Sequence, residues 1–374
     1  MGKVIFVNKQ NLKIARKNVG LDIFNASKKV STRKDIVSLW ESGEELPTWK
    51  QLEKIAKAYN ISELVLVSKE NIKENRDIPD FRVGIGMGDK NYVKKLIDLV
   101  LKRQEWLEST LKKEGYKKNK MLGSGVNIKS PSELAKYISK ILDIDIEEIK
   151  TISGSGAHRK TLNYLIEKAE SQRIFVGKTI AHHSIPVEHM RGLFISNDYC
   201  PFIVLNRKDA LSAQIFSFIH ELAHLFRKSD SISNSIDFRD SNKALNSEEI
   251  FCNKVAANLL LPEEEFEKDN YFKNDIDILA EKYKLSKLFI FYRLKDLNKI
   301  NDRDLVKLEL ELKEESKKNV MNNKKKKSGG NYYNSMKDSN GALFNKVVAN
   351  SYYENKIDYV KASSLLKFSV EVYG

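Results

Sequence analysis

The chain has 374 residues, 41% hydrophobic and 31% charged, with two cysteines and a formal charge of +14. This composition suits a soluble globular protein of two or three domains, and two cysteines are too few for a disulfide scaffold. The longest apolar runs, such as 259–261 and 202–205, are far too short to cross a bilayer, and the N-terminus lacks a signal-peptide core, so a cytoplasmic protein with no membrane partner is expected. The positive charge permits contact with nucleic acid or an acidic partner.

Residues 8–68 read as a compact helical unit. Short helices are predicted over 11–17, over 22–29 with Asp22 as cap, over 31–40, and over 49–59 with Thr48 as cap. The run W-E-S-G-E-E-L-P-T-W-K-Q-L-E-K-I-A-K-A-Y-N-I, from Trp40 to Ile61, resembles the second half of an XRE-type helix-turn-helix domain. That resemblance implies DNA binding through the preceding helix. Thr32, Arg33, Lys34 and Ser38 are the candidate contacts, with Arg and Lys suited to phosphate or guanine.

Residues 69–150 are expected to be a linker and a helical brace. A long amphipathic helix is predicted over 91–113. Ser130-Pro131-Ser132-Glu133 marks the start of another helix, running to about Leu142. Two glycine-rich stretches imitate nucleotide loops. G-I-G-M-G-D at 84–89 has no strand before it, and G-S-G-A-H-R-K-T at 154–161 lacks the glycine before Lys160, so neither is read as a phosphate site.

A second domain is expected over 151–300. A helix is predicted over 161–171, a strand over 173–176, and paired strands over 193–195 and 202–205. The strand near Phe202–Asn206 is read as an edge that holds an extended peptide. Between them lie His182, His183, His189 and Arg191, read first as loop residues near a cleft. His183, His189, Arg191 and Asn206 are the candidates for oxyanion or substrate contact.

The stretch I-F-S-F-I-H-E-L-A-H-L-F-R follows, from Ile215 to Arg227, and contains H-E-x-x-H. Helical positions i and i+4 share a face, so His220 and His224 can grip one metal ion. Glu221 projects beside them as a candidate general base. The helix is too apolar to be exposed, and buried His and Glu need partners, which a metal supplies.

An open zinc site of this type needs a third protein ligand. N-S-E-E-I-F-C-N-K-V-A-A-N-L-L-L-P, from Asn246 to Pro262, reads as a returning helix. Spacing alone leaves Glu248 and Glu249 open, about 100° apart around that helix. Cys252 reads as core.

R-G-L-F-I, P-F-I-V-L-N and F-S-F-I-H-E-L-A-H-L-F together resemble the ImmA/IrrE family of metallopeptidases. E-I-F-C-N-K-V-A-A-N-L-L-L-P is similar to that family's downstream helix, with Cys252 and Val255 as packing changes. The resemblance places the third ligand on Glu249 and implies one Zn2+ per chain. It also implies limited cleavage of a repressor or antitoxin-like protein, and a link to phage, mobile elements or stress response. Residues 301–340 read as a charged linker and 341–374 as a small helical appendage.

The resulting fold class is α+β, mostly helical: a helix-turn-helix bundle followed by a zincin-like domain with a small sheet. A regulatory zinc endopeptidase is the first reading of function. A DNA-binding regulator or antitoxin-like protein, using its peptidase fold for sensing or docking, is the second.

Overall fold

The computed structural model describes, apart from scattered positions, residues 3–71, 90–179, 185–229, 231–233, 247–265, 276–299 and 332–370. The chain forms two compact units, Met1–Phe81 and Arg82–Gly374.

The first unit holds α1 (Lys9–Asn18), α2 (Ile23–Val30), α3 (Ile36–Ser42), α4 (Trp49–Tyr59) and α5 (Glu63–Leu66). Their apolar stripes meet around Leu12, Ala26, Val37, Trp40, Leu52 and Ile55. Local side chains satisfy the helix starts. Asp22 accepts from Asn25 N–H at 2.7 Å, and Thr48 and Gln51 form a reciprocal capping box before α4.

α3 is shorter than predicted. The expected helix over 31–40 begins only at Ile36, because Arg33 and Asp35 pair at 2.9 Å in the preceding turn. Arg33 also pairs with Glu45 at 2.7 Å, so it lies before the helix and is engaged by carboxylates. Lys34 is exposed in the same turn, Ser38 is exposed on α3, and Thr32 lies outside the described residues.

The second unit begins with α6 (Lys90–Lys113), α7 (Pro131–Leu142), α8 (Ile146–Thr151) and α9 (Ala157–Ser171). Ser130 accepts from Glu133 N–H, with Pro131 at the first position of α7. A four-stranded sheet follows: β1 (Phe175–Lys178), β2 (Gly192–Ile195), β3 (Phe202–Leu205) and β4 (Ser231–Ser233), in the order β1-β3-β2-β4. β3 runs parallel to β1 and antiparallel to β2. The expectation that Phe202–Asn206 is an edge is therefore corrected: β3 is paired on both sides and all four of its residues are buried. Among the described residues β4 pairs only with β2.

Period-2 alternation sends side chains to both faces of this sheet, and both faces are covered. Val176, Phe194, Ile203 and Leu205 join the main core with α10 (Leu211–Arg227) and α11 (Ser247–Leu260). α12 (Ile276–Tyr283) and α13 (Lys287–Asp296) close that side. On the opposite face Phe175 stacks on Phe202 at 5.2 Å. Phe344 meets Phe202 edge-on at 6.1 Å and Trp106 at 6.2 Å.

Phe344 belongs to the last helices, α14 (Tyr332–Asn340), α15 (Ala342–Tyr353) and α16 (Tyr359–Leu366). Residues 332–340 are thus helix rather than charged linker. The C-terminal helices also do more than append: with α6 they cover the second face of the sheet. Arg103 of α6, fully buried, donates to Asn340 Oδ1 and Leu365 O and lies 4.6 Å from the Phe344 ring. Among the described residues no helix is long and apolar enough to cross a membrane.

Candidate metal centre

α10 carries the site. It has no internal Gly or Pro, and every residue from Gln214 to Phe226 is buried. At its start the Gln214 amide donates to Asp209 O at 2.8 Å. It ends at Lys228, a left-handed residue with φ 57° whose N–H returns to His224 O and Leu225 O. That bend carries Ser229 back to the helix, where its Oγ lies 2.9 Å from His224 Nδ1. A partner on the second ring nitrogen fixes the imidazole and leaves Nε2 to face the site.

His220 and His224 are 2% and 1% exposed. Their Nε2 atoms lie 3.0 Å apart. Glu249 reaches both from α11, at 3.2 Å from His220 Nε2 and 3.3 Å from His224 Nε2. Among the described residues these three form the group able to hold a metal ion, their ligand atoms all within 4.8 Å of one another. Ligands bound to one tetrahedral zinc at about 2.0–2.2 Å sit roughly 3.3 Å from each other, which these separations match. Burial works against the charge on Glu249, but its bonds with the two histidines outweigh burial and hold the carboxyl well below its usual range. Two nitrogens from buried histidines and one anionic oxygen from a partly exposed Glu249 are a donor set that fits a divalent zinc-like ion.

Glu248 is otherwise engaged. Arg227 grips it with two bonds, Nε to Oε1 at 2.8 Å and Nη2 to Oε2 at 3.1 Å. Arg227 also donates to Val126 O and Ile128 O and stacks over Phe251 at 4.6 Å. The neighbouring position is therefore the one turned to the histidines. Both carboxylates sit in the first turn of α11, where the helix dipole favours anions. Cys252 is buried in the main core, and burial pushes its thiol well above its ordinary value, so it packs as a neutral side chain.

Glu221 is 0% exposed and lies against β2. The backbone of Gly192 leaves it room: a Cβ there would fall 2.8 Å from Glu221 Cγ and 2.9 Å from Cδ, and closer still to Oε1. Reading from sequence missed this role, although Gly192 stands in R-G-L-F-I. It also missed Ser229, for which no local signal exists.

The remaining candidates separate. Asn206 is a structural clamp, a correction to its reading as a substrate contact. It is 0% exposed, and its amide donates to Ile185 O at 3.0 Å and Met190 O at 2.7 Å. Its Oδ1 accepts from Lys208 N–H at 3.1 Å and meets Thr179 Oγ1 at 3.4 Å. Arg191 is held by Asp209 at 2.7 Å. His189 is half-buried in a turn, its N–H on Pro186 O. His182 and His183 lie outside the described residues.

Residues 177–295 match the family model of the IrrE N-terminal-like domain, a peptidase family. This part of the chain is a metallopeptidase-type domain of that family. No curated protein and no solved structure matches the chain.

Proposed function

We propose that this IrrE-like domain is a zinc-dependent endopeptidase that cuts one or a few regulatory proteins, of the repressor or antitoxin-like kind. The observation that carries the reading is the convergence of His220, His224 and Glu249 beside buried Glu221 within a peptidase domain. A zinc ion held by those three residues would polarise a scissile carbonyl and acidify water. Glu221 accepts the proton of the attacking water and hands it to the leaving amine nitrogen. Gly192, with no side chain, leaves room for that carboxylate against β2. An extended substrate segment can align along β4, whose outer edge has no strand partner among the described residues.

The test has two arms. Elemental mass spectrometry on the full chain should find about one zinc per molecule, lost in His224→Ala. Glu221→Gln should keep the metal and abolish cleavage of a co-expressed repressor-like protein. No metal in the wild-type chain after zinc is offered would overturn the reading. Undiminished biological effect in Glu221→Gln would move the function to binding.

A further inference from the structure

The two histidines of the metal centre differ in what holds the second ring nitrogen. His224 Nδ1 has Ser229 Oγ at 2.9 Å. His220 Nδ1 is buried and meets no hydrogen-bond partner. An imidazole that offers its Nε2 lone pair to a metal carries its proton on Nδ1, so that nitrogen needs an acceptor. A buried N–H left without one weakens the form of the ring that binds the ion.

α11 brings an acceptor to this place. Asn253 stands four residues after Glu249, one turn further along the same face of the helix. Glu249 itself lies 3.2 Å from His220 Nε2. Asn253 is 9% exposed, and its Oδ1 is buried without a partner. The two side chains are close enough to act on one another. Burial lowers the proton affinity of the His220 ring, and Glu249, Glu221 and the Asn253 amide raise it and together outweigh burial. Neither Nδ1 nor Oδ1 closes a full hydrogen bond. A buried donor and a buried acceptor, each lacking a partner, thus adjoin on neighbouring helices. The opposite orientation of the amide would set its NH2 against the ring N–H, donor against donor.

We propose that Asn253 is a positioning residue for the metal: its Oδ1 accepts the Nδ1 proton of His220 and so presents Nε2 to the ion. This role rests on the zinc reading of His220, His224 and Glu249. α11 then holds His220 at both ring nitrogens, through Glu249 on the metal side and Asn253 on the far side. Asn253 does for His220 what Ser229 does for His224. The bond fixes the tautomer and the plane of the ring and makes Nε2 a better donor to the ion. A neutral amide does this without bringing a second negative charge to the ligand set.

Zinc affinity of the full chain, measured by competition with a chromophoric chelator, tests the role without any substrate. Asn253→Leu keeps the approximate shape of the side chain and removes its oxygen, while Asn253→Asp keeps an acceptor. Asn253→Leu should bind zinc about 10–100-fold more weakly, and Asn253→Asp should hold it at wild-type strength or better. Thermal melting of the zinc-free chains checks that both variants fold. Nuclear magnetic resonance with 15N-labelled histidine reads the tautomer in the zinc-loaded wild type. There His220 should carry its proton on Nδ1, in slow exchange with water. Wild-type zinc affinity in Asn253→Leu, or an equal loss in Asn253→Asp, would overturn the proposal and leave the metal reading standing. A zinc-bound His220 with its proton on Nε2 would do the same, and decides the matter alone if neither variant folds. A wild-type chain that takes up no zinc would overturn the metal reading, and this role of Asn253 with it.

Discussion

Gly192 and Glu221 are in contact only because residue 192 has no side chain. A Cβ on it would overlap the Glu221 carboxylate, at 2.8 Å from Cγ and 2.9 Å from Cδ. The need is for space rather than for an unusual backbone, since Gly192 pairs within regular β2. Gly192→Ala should therefore leave the zinc content at the wild-type level and displace the base. Cleavage should fall on the order of 100-fold, as expected when a reacting group is misplaced by about 1 Å. Melting should show a cost of about 1–3 kcal/mol for the overpacked contact. Wild-type cleavage by this variant would mean that Glu221 is not held here during catalysis.

The two adjacent glutamates should behave oppositely. Glu249→Gln should lower zinc stoichiometry in elemental analysis after dialysis. Glu248→Gln should retain it and lose only the grip of Arg227, a partly exposed pair worth at most about 1 kcal/mol. Equal metal loss in both would show that α11 is positioned as a unit by Arg227.

Cys252→Ala should keep one zinc per chain, because the thiol is neutral and packs in the core. The expected price is roughly 1 kcal/mol from the small cavity left behind, read as a shift of the urea midpoint. Metal loss in this variant would make the thiol a ligand.

Glu170 gives stability a pH dependence whose sign follows from its raised carboxyl. Its value is about 7 in the fold against an ordinary 4.5. Between those values the native chain holds a proton that the unfolded chain has lost. Stability from this group is thus complete below about pH 4.5 and is lost as the pH rises through about 7. Glu170→Gln, which cannot ionise, should gain on the wild type as pH rises from about 5 to about 8 in paired urea titrations. A gap that stays constant with pH would show that Glu170 is ionised throughout.

Much of the site was legible because its key spacing is local. His220 and His224 are one helical turn apart, and a run of helix-forming residues without Gly or Pro fixes their common face whatever packs around it. The capped starts of α4 and α7 were readable for the same reason: Thr48 and Ser130 bond within three residues of themselves. Paired strands β2 and β3 followed from a short turn between two apolar runs.

What sequence alone determined was therefore the helix that presents His220 and His224 on one face, its neighbouring acid and the mostly helical α+β character. Each rests on periodicity within one element. The tertiary structure decided the rest. Glu249 faces the histidines because Arg227, on another helix, holds Glu248. Asn206 became a clamp because the 185–190 loop returns its carbonyls to the end of β3. β3 moved from edge to interior because β1, 27 residues earlier in register, lies parallel to it. The C-terminal helices became part of the sheet's cover because Phe344 and Arg103 meet across the chain. Such pairings join residues far apart in sequence, and no local pattern encodes which partner will arrive.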